Sequence, residues 1–198
     1  MRTLGALAAT YGSFALGDGT EAVVRSIAPE DAEELVRFHA RLSQHAVTLR
    51  YFYPHRVLSA VEVNHLTQVD RRDRVALIAE SAGELIAVGR FDRLSDPTQA
   101  EVAFVVADAF QHHGIATMLL DRLAGLARRA GITHFIAEVM AENKAMLSVF
   151  HAAGFVTEST CELGIIELKM AIALPADTSS NGQRGTRQST RVPPPSTA

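Results

Sequence analysis

The segment from Glu101 to Thr117, EVAFVVADAFQHHGIAT, constrains this chain most. An apolar strand pattern runs into a turn, then a loop with one glycine, then an amphipathic stretch that predicts a helix from Ile115 to Ala130, stopped by Gly131. In that order the amides of Gln111, His112, His113, Gly114, Ile115 and Ala116 converge on a helix N-terminus. Four amides there lack intrahelical partners and the helix dipole is positive, so the loop is suited to an anion. Gly114 permits close approach of a phosphate to the backbone. Ala116 is nearly as small, and Thr117 adds a hydroxyl donor. An ordinary strand-to-helix turn with one glycine has the same local pattern. The loop lacks the Gly-Lys-Ser/Thr ending of nucleotide hydrolases and the Gly-x-Gly-x-x-Gly of dinucleotide folds.

The flanking elements predict a mixed sheet. Tyr11 to Leu16 reads as a short strand, Gly17 to Thr20 as a turn, and Glu21 to Ile27 as a strand. Helices are expected from Pro29, with Ala32, Leu35, Val36 and His39 on one face, then over 43–52, ended by Pro54, and over 60–69, capped by Ser59. Strands follow at 75–80 and 85–91 around Ala82-Gly83-Glu84, then at 101–106 and 135–140. A helix over 143–153 stops at Gly154, and 155–162 with 165–174 forms a closing hairpin. This order places helices on both faces of the sheet.

The 198 residues suit one domain, and an apolar fraction of 47% fills its core. A net charge of −3 gives no basic footprint for nucleic acid. The longest apolar runs fall far short of the ~20 residues of a membrane span. Cys161 is the single cysteine and cannot form an internal disulfide, which fits a reducing cytoplasm. From Pro175 the chain is rich in Ser, Thr, Pro, Gly and Gln, so 175–198 is expected to be a disordered tail.

Two motifs carry a family resemblance. Gln111-x-x-Gly114-x-Ala116 resembles the Q/R-x-x-G-x-G/A signature of the GNAT superfamily of acyl-CoA-dependent N-acyltransferases. Downstream, Asn143, then Phe150, then Gly154-Phe155 resembles the family's second pattern. The resemblance covers 21–174 and implies an α/β fold of the GNAT type. Its sheet is mixed but mostly antiparallel, splayed between the fourth and fifth strands, with helices on both faces. Residues 1–20 are then an N-terminal arm with a short strand. The resemblance further implies acetyl-CoA as co-substrate, with its pantetheine arm in the splay against Val105 and Val106. Its pyrophosphate would lie at Gln111, His112, His113, Gly114, Ile115, Ala116 and Thr117. Asn143 and Phe150 would contact the arm from the other side.

The acyl acceptor is then an amine, which attacks only when neutral. A lysine of pKa ~10.4 is neutral in about one molecule in 2,500 at pH 7, adding roughly 4.6 kcal/mol to the barrier unless a base takes the proton. Glu101 is the expected base, on the strand face of Ala103 and Val105; a plain solvent-exposed strand start is the alternative. Many family members carry a tyrosine where this chain has Phe150, which has no proton to donate. The leaving thiolate, of pKa ~8.5, needs little help. His112 and His113 are adjacent, and no His-Glu-x-x-His is present, so no metal is expected. Cys161 is expected to be buried and unreactive.

A narrower resemblance rests on Leu42-Ser43, Leu49-Arg50-Tyr51-Phe52, Leu66-Thr67-Gln68-Val69-Asp70 and Ala100 to Phe104 with Glu101. These are similar to the Pat-type bacterial protein lysine acetyltransferases. The resemblance implies a protein substrate, with an acyl-CoA synthetase among the targets, and a catalytic domain that is often fused to a regulatory one; with only about 20 residues before the domain, a stand-alone enzyme is expected here. Packing accounts for Tyr51 and Phe52, with Arg50 an exposed arginine. Acetylation of a small amine and non-catalytic sensing of acetyl-CoA are the alternative functions.

Overall fold

The computed structural model describes residues 10–17 and 19–172. Residues 1–9 of the expected N-terminal arm, Asp18 of its turn and the whole of the expected C-terminal tail lie outside these residues, whereas the short strand expected in the arm is described. Among the described residues eight strands form one sheet in the order β1-β2-β3-β4-β5-β6-β8-β7. They are β1 (Thr10–Ala15), β2 (Glu21–Ser26), β3 (Arg74–Ser81), β4 (Glu84–Arg93), β5 (Gln99–Val106), β6 (His134–Met140), β7 (Val156–Glu162) and β8 (Ile165–Ala171). Neighbours are antiparallel except β5 and β6. The helices are α1 (Ala32–Arg41), α2 (Gln44–Tyr51), α3 (Ala60–Thr67), α4 (Ile115–Arg129) and α5 (Lys144–Ala152).

The turn chemistry explains why the strands pair in this register. Ala82 and Gly83 both take positive φ, 50° and 82°, which matches the twist of a two-residue hairpin between β3 and β4. Ser59 caps α3 in a capping box. Its hydroxyl accepts from the Glu62 amide, and the Glu62 carboxylate accepts from the Ser59 amide at 2.7 Å. Asp31 accepts from the Ala28 amide and from Arg25 at 2.7 and 2.8 Å, fixing the entry to α1.

Alternation along the sheet divides the core in two. Val102 and Phe104 of β5 join α4 and α5 in one cluster, with Leu119, Leu123 and Phe135 at its centre. Val105 packs on the other side with α1, α2 and α3, around Leu35, Phe38 and Ile78. The buried stripe of α1 is Leu35, Phe38 and His39, continued by Leu42. Val36, expected on that stripe, is 41% exposed, because the helix presents i, i+3, i+4 and i+7 to the sheet and Val36 falls off that arc.

One strand pair departs from the rest. β5 pairs with β4 over seven residue positions but with β6 over three, Gln99–Glu101 against His134–Ile136. Beyond Glu101 the two strands separate. This is the expected splay. With β1 counted, it lies between the fifth and sixth strands of this chain.

Candidate active site

The splay opens into a cleft of about 760 Å³. Its floor is the free edge of β5, from Phe104 to Val106. One end is the loop and first turn of α4, the second wall is α5, and α2 covers it from the α1–α3 side. Local chemistry builds the loop. Gly114 sits at φ 79° as the N-cap of α4, and His112 also takes a left-handed conformation at φ 64°. The Gln111 side chain donates to the Val106 carbonyl at 3.3 Å, tying the loop to the end of β5. The first-turn amides of α4 then face the cleft with no carbonyl one turn behind them.

Of the residues expected to hold a cofactor, Val105, Val106, Gln111, His112, Gly114, Ile115, Ala116, Thr117 and Asn143 all line this one cleft. His113 does not. Its ring lies against Gly17 of the β1–β2 turn, and its Nδ1 is buried without a hydrogen-bond partner. Phe150 is buried, 6.0 Å from the Phe104 ring, and lines a smaller adjoining cavity. Asn143 caps α5 by accepting from the Met146 amide at 3.1 Å.

That smaller cavity, about 40 Å³, occupies the apex of the splay. Glu101 and Glu138 line it from β5 and β6, Arg50 from the last turn of α2 and Phe52 from the residue that caps that helix. Leu49, Arg50, Phe104, Asn143 and Met146 belong to its lining and to that of the large cleft, so the two spaces adjoin. Register places Glu101 opposite Asp92 of β4, on the face of Ala103 and Val105 as strand alternation requires. Asp92 is engaged by Arg90 at 2.6 Å.

Two residues of this cavity, Arg50 and Glu138, carry no site signal in the sequence. Arg50 is half-buried, and its guanidinium lies 5.1 Å from the Tyr51 ring. It is not the exposed arginine expected of a packing helix, because α2 lies across the splay instead of facing solvent. Burial lowers its pKa, and the nearby Tyr51 and Glu101 oppose that effect. Glu138 was hidden by its position in β6, where alternation alone marks it as one outward polar residue. Ser43 holds α2 in place by donating its amide and hydroxyl to Asp108 at 2.9 and 2.5 Å. Burial works against ionisation of Asp108, but these Ser43 bonds keep its pKa below the usual carboxylate value. Cys161 is exposed on β7, against the expectation of burial, since that edge strand turns its alternate residues to solvent on both faces.

The sequence profile described as the acetyltransferase (GNAT) family matches residues 40–155. An acetyltransferase of Pseudomonas aeruginosa is 30% identical over 145 residues, covering 71% of this chain and 78% of that protein. The acetyltransferase Pat of Mycolicibacterium smegmatis is 30% identical over 78% of this chain, which spans less than half of that longer protein, 46%. The crystal structure of the GNAT domain of S. lividans PAT superposes with a TM-score of 0.76 at 39% identity, covering 81% of this chain and 96% of that one.

Proposed function

The chain belongs to the GNAT acetyltransferase family and is an acyl-CoA-dependent N-acetyltransferase; on that premise we propose that it transfers acetyl from acetyl-CoA to the ε-amine of a protein lysine, with Glu101 as general base. The observation that carries this reading is the continuity of the two spaces. A cleft that begins at a helix N-terminus ends beside a carboxylate at the apex of the splay. An anionic diphosphate suits the amides of Gln111 to Thr117, and an apolar arm suits the β5 edge at Val105 and Val106. The Asn143 and Met146 side follows the same path.

In the proposed step the neutral amine nitrogen bonds to the acetyl carbon as the carbon–sulfur bond breaks. Glu101, directly or through a water, takes the proton that the nitrogen loses. The sulfur leaves as thiolate and takes its proton from solvent, since Phe150 has none to donate. The likeness to the Pat GNAT domain supports a protein acceptor and makes an acyl-CoA synthetase the first target to try.

The test uses labelled acetyl-CoA with an acyl-CoA synthetase and, in parallel, a panel of small amines. Label on a synthetase lysine, lost by about 10²–10⁴-fold in Glu101→Gln at unchanged CoA affinity, is the expected result. Turnover of small amines alone removes the lysine assignment. CoA binding without any turnover turns the reading to a sensor.

A further inference from the structure

Arg50 carries chemistry that acetyl transfer leaves unused. It stands in the last turn of α2 and lines the large cleft, the Glu101 cavity, and a third space of about 30 Å³ on the α1–α3 side of the sheet. Among the described residues its side chain makes no hydrogen bond and no ion pair; the Tyr51 ring lies 5.1 Å from the guanidinium, and Glu101 and Asp92 act on it at longer range. The arginines on the neighbouring strands are committed. Arg25 is held by Asp31 and Glu80, Arg93 by Asp73, and Arg90 by Asp92. The pairing of Arg90 with Asp92 matters here, because it occupies the acid that register brings beside Glu101.

A guanidinium keeps its proton under all ordinary conditions and offers five donors in a planar fork. Half-buried and unpaired, it gives up part of its hydration without recovering it from the protein. The matching partner is a carboxylate, which the fork can bind through two parallel charge-assisted bonds. The same small cavity presents Glu101 and Glu138. Two carboxylates with an uncommitted guanidinium beside them complement a group that carries an ammonium and a carboxylate close together.

We propose that Arg50 is a specificity residue that binds a carboxylate of the acyl acceptor, so that the preferred amine is one with an acid group next to it. This rests on the assignment of Glu101 as the base that receives the acceptor amine. The shared chemistry has two sources. One is an acidic residue beside the target lysine of a protein; the other is the carboxylate of a free amino acid. Glu101 and Glu138 draw the amine to the apex of the splay, and Arg50 holds the acid on the side of the large cleft.

The experiment measures kcat/KM for thiol release from acetyl-CoA with two matched acceptor pairs. One pair is a lysine peptide with aspartate or asparagine beside the lysine. The other is an amino acid and its amide. Wild type is expected to favour the carboxylate member of one pair by about tenfold or more, the scale of one charge-assisted hydrogen bond. The pair that responds identifies the source. Arg50→Gln is expected to erase the preference mainly through KM for the acid-bearing acceptor, with KM for acetyl-CoA changed far less. Arg50→Lys keeps the cation without the fork and is expected to retain part of the preference, which separates loss of recognition from misfolding. Equal rates within both pairs in wild type, turnover of neither pair, or a preference that survives Arg50→Gln overturns the proposal. Glu101→Gln reports independently: full activity in that variant removes the general-base assignment, whatever the acceptor preference does.

Discussion

The two ends of the cleft are built by different means. At the α4 end the working groups are backbone amides and a strand edge, supplied by one contiguous segment, Val105 to Thr117. At the apex they are side chains, Arg50, Glu101 and Glu138, drawn from α2, β5 and β6. The first end is a property of local conformation. The second exists only because α2 crosses the sheet where β5 and β6 part. Damage to the first should therefore register in the affinity for acetyl-CoA, and damage to the second in the handling of the acceptor.

The sharpest break of that division is at Gly89. A Cβ there would stand 2.8 Å from Phe104 Cδ1, 2.9 Å from its Cε1 and 3.3 Å from the Leu119 Cβ. Phe104 is at once core and lining of both spaces. Gly89→Ala is expected to cost about 1–3 kcal/mol in denaturant melts, the usual range for overpacking, and to impair acetyl-CoA and acceptor together. An effect confined to one substrate would show that Phe104 serves only one end.

Gly114→Ala tests the α4 end alone. Its φ of 79° and the open space around it make the cost conformational, about 1–2 kcal/mol, without a clash. KM for acetyl-CoA should rise by up to about tenfold while KM for the acceptor holds. Away from both ends, Ser59→Ala removes the α3 cap and should cost about 1 kcal/mol of stability. Acetyl-CoA binding, measured by calorimetry, should be unaltered.

The smallest effect is a pH slope. His39 lies on the buried stripe of α1 with its Nε2 unpartnered, and burial, then the neighbouring His55, holds its pKa below the ordinary value of about 6.5, with Glu62 opposing. The folded pKa is depressed, so the unfolded chain takes up the proton first as pH falls. The contribution of neutral His39 is complete above about pH 6.5 and is lost as pH falls from there through the folded value. Thermal melts of wild type should therefore decline over that window more steeply than those of His39→Phe. Parallel curves would place the slope elsewhere, with His65 the next group to vary, its pKa lowered by burial and by Arg90 and Arg74.

The glycine loop, the cap at Ser59 and the hairpin at Ala82-Gly83 are legible in the sequence because each depends on residues within a few positions of one another. The same reasoning placed Val36 on the buried face and Cys161 in the core. Both expectations rest on apolar character, which does not specify which arc of a helix, or which edge of a sheet, meets a neighbour. Periodicity also separated Glu101 from Val102 and Phe104, since alternation is a local rule.

What the sequence determined by itself was the end of the cleft made from one run of chain, along with the order and type of the elements. Helix dipoles, left-handed glycines and strand alternation act over single turns and adjacent residues. Only the tertiary structure decided that Arg50 and Glu138 share a cavity with Glu101, and that β5 and β6 stay paired for three positions and then part. Those outcomes depend on how α2 and α5 pack against opposite faces of one sheet, a competition among long-range contacts that no short window of residues contains.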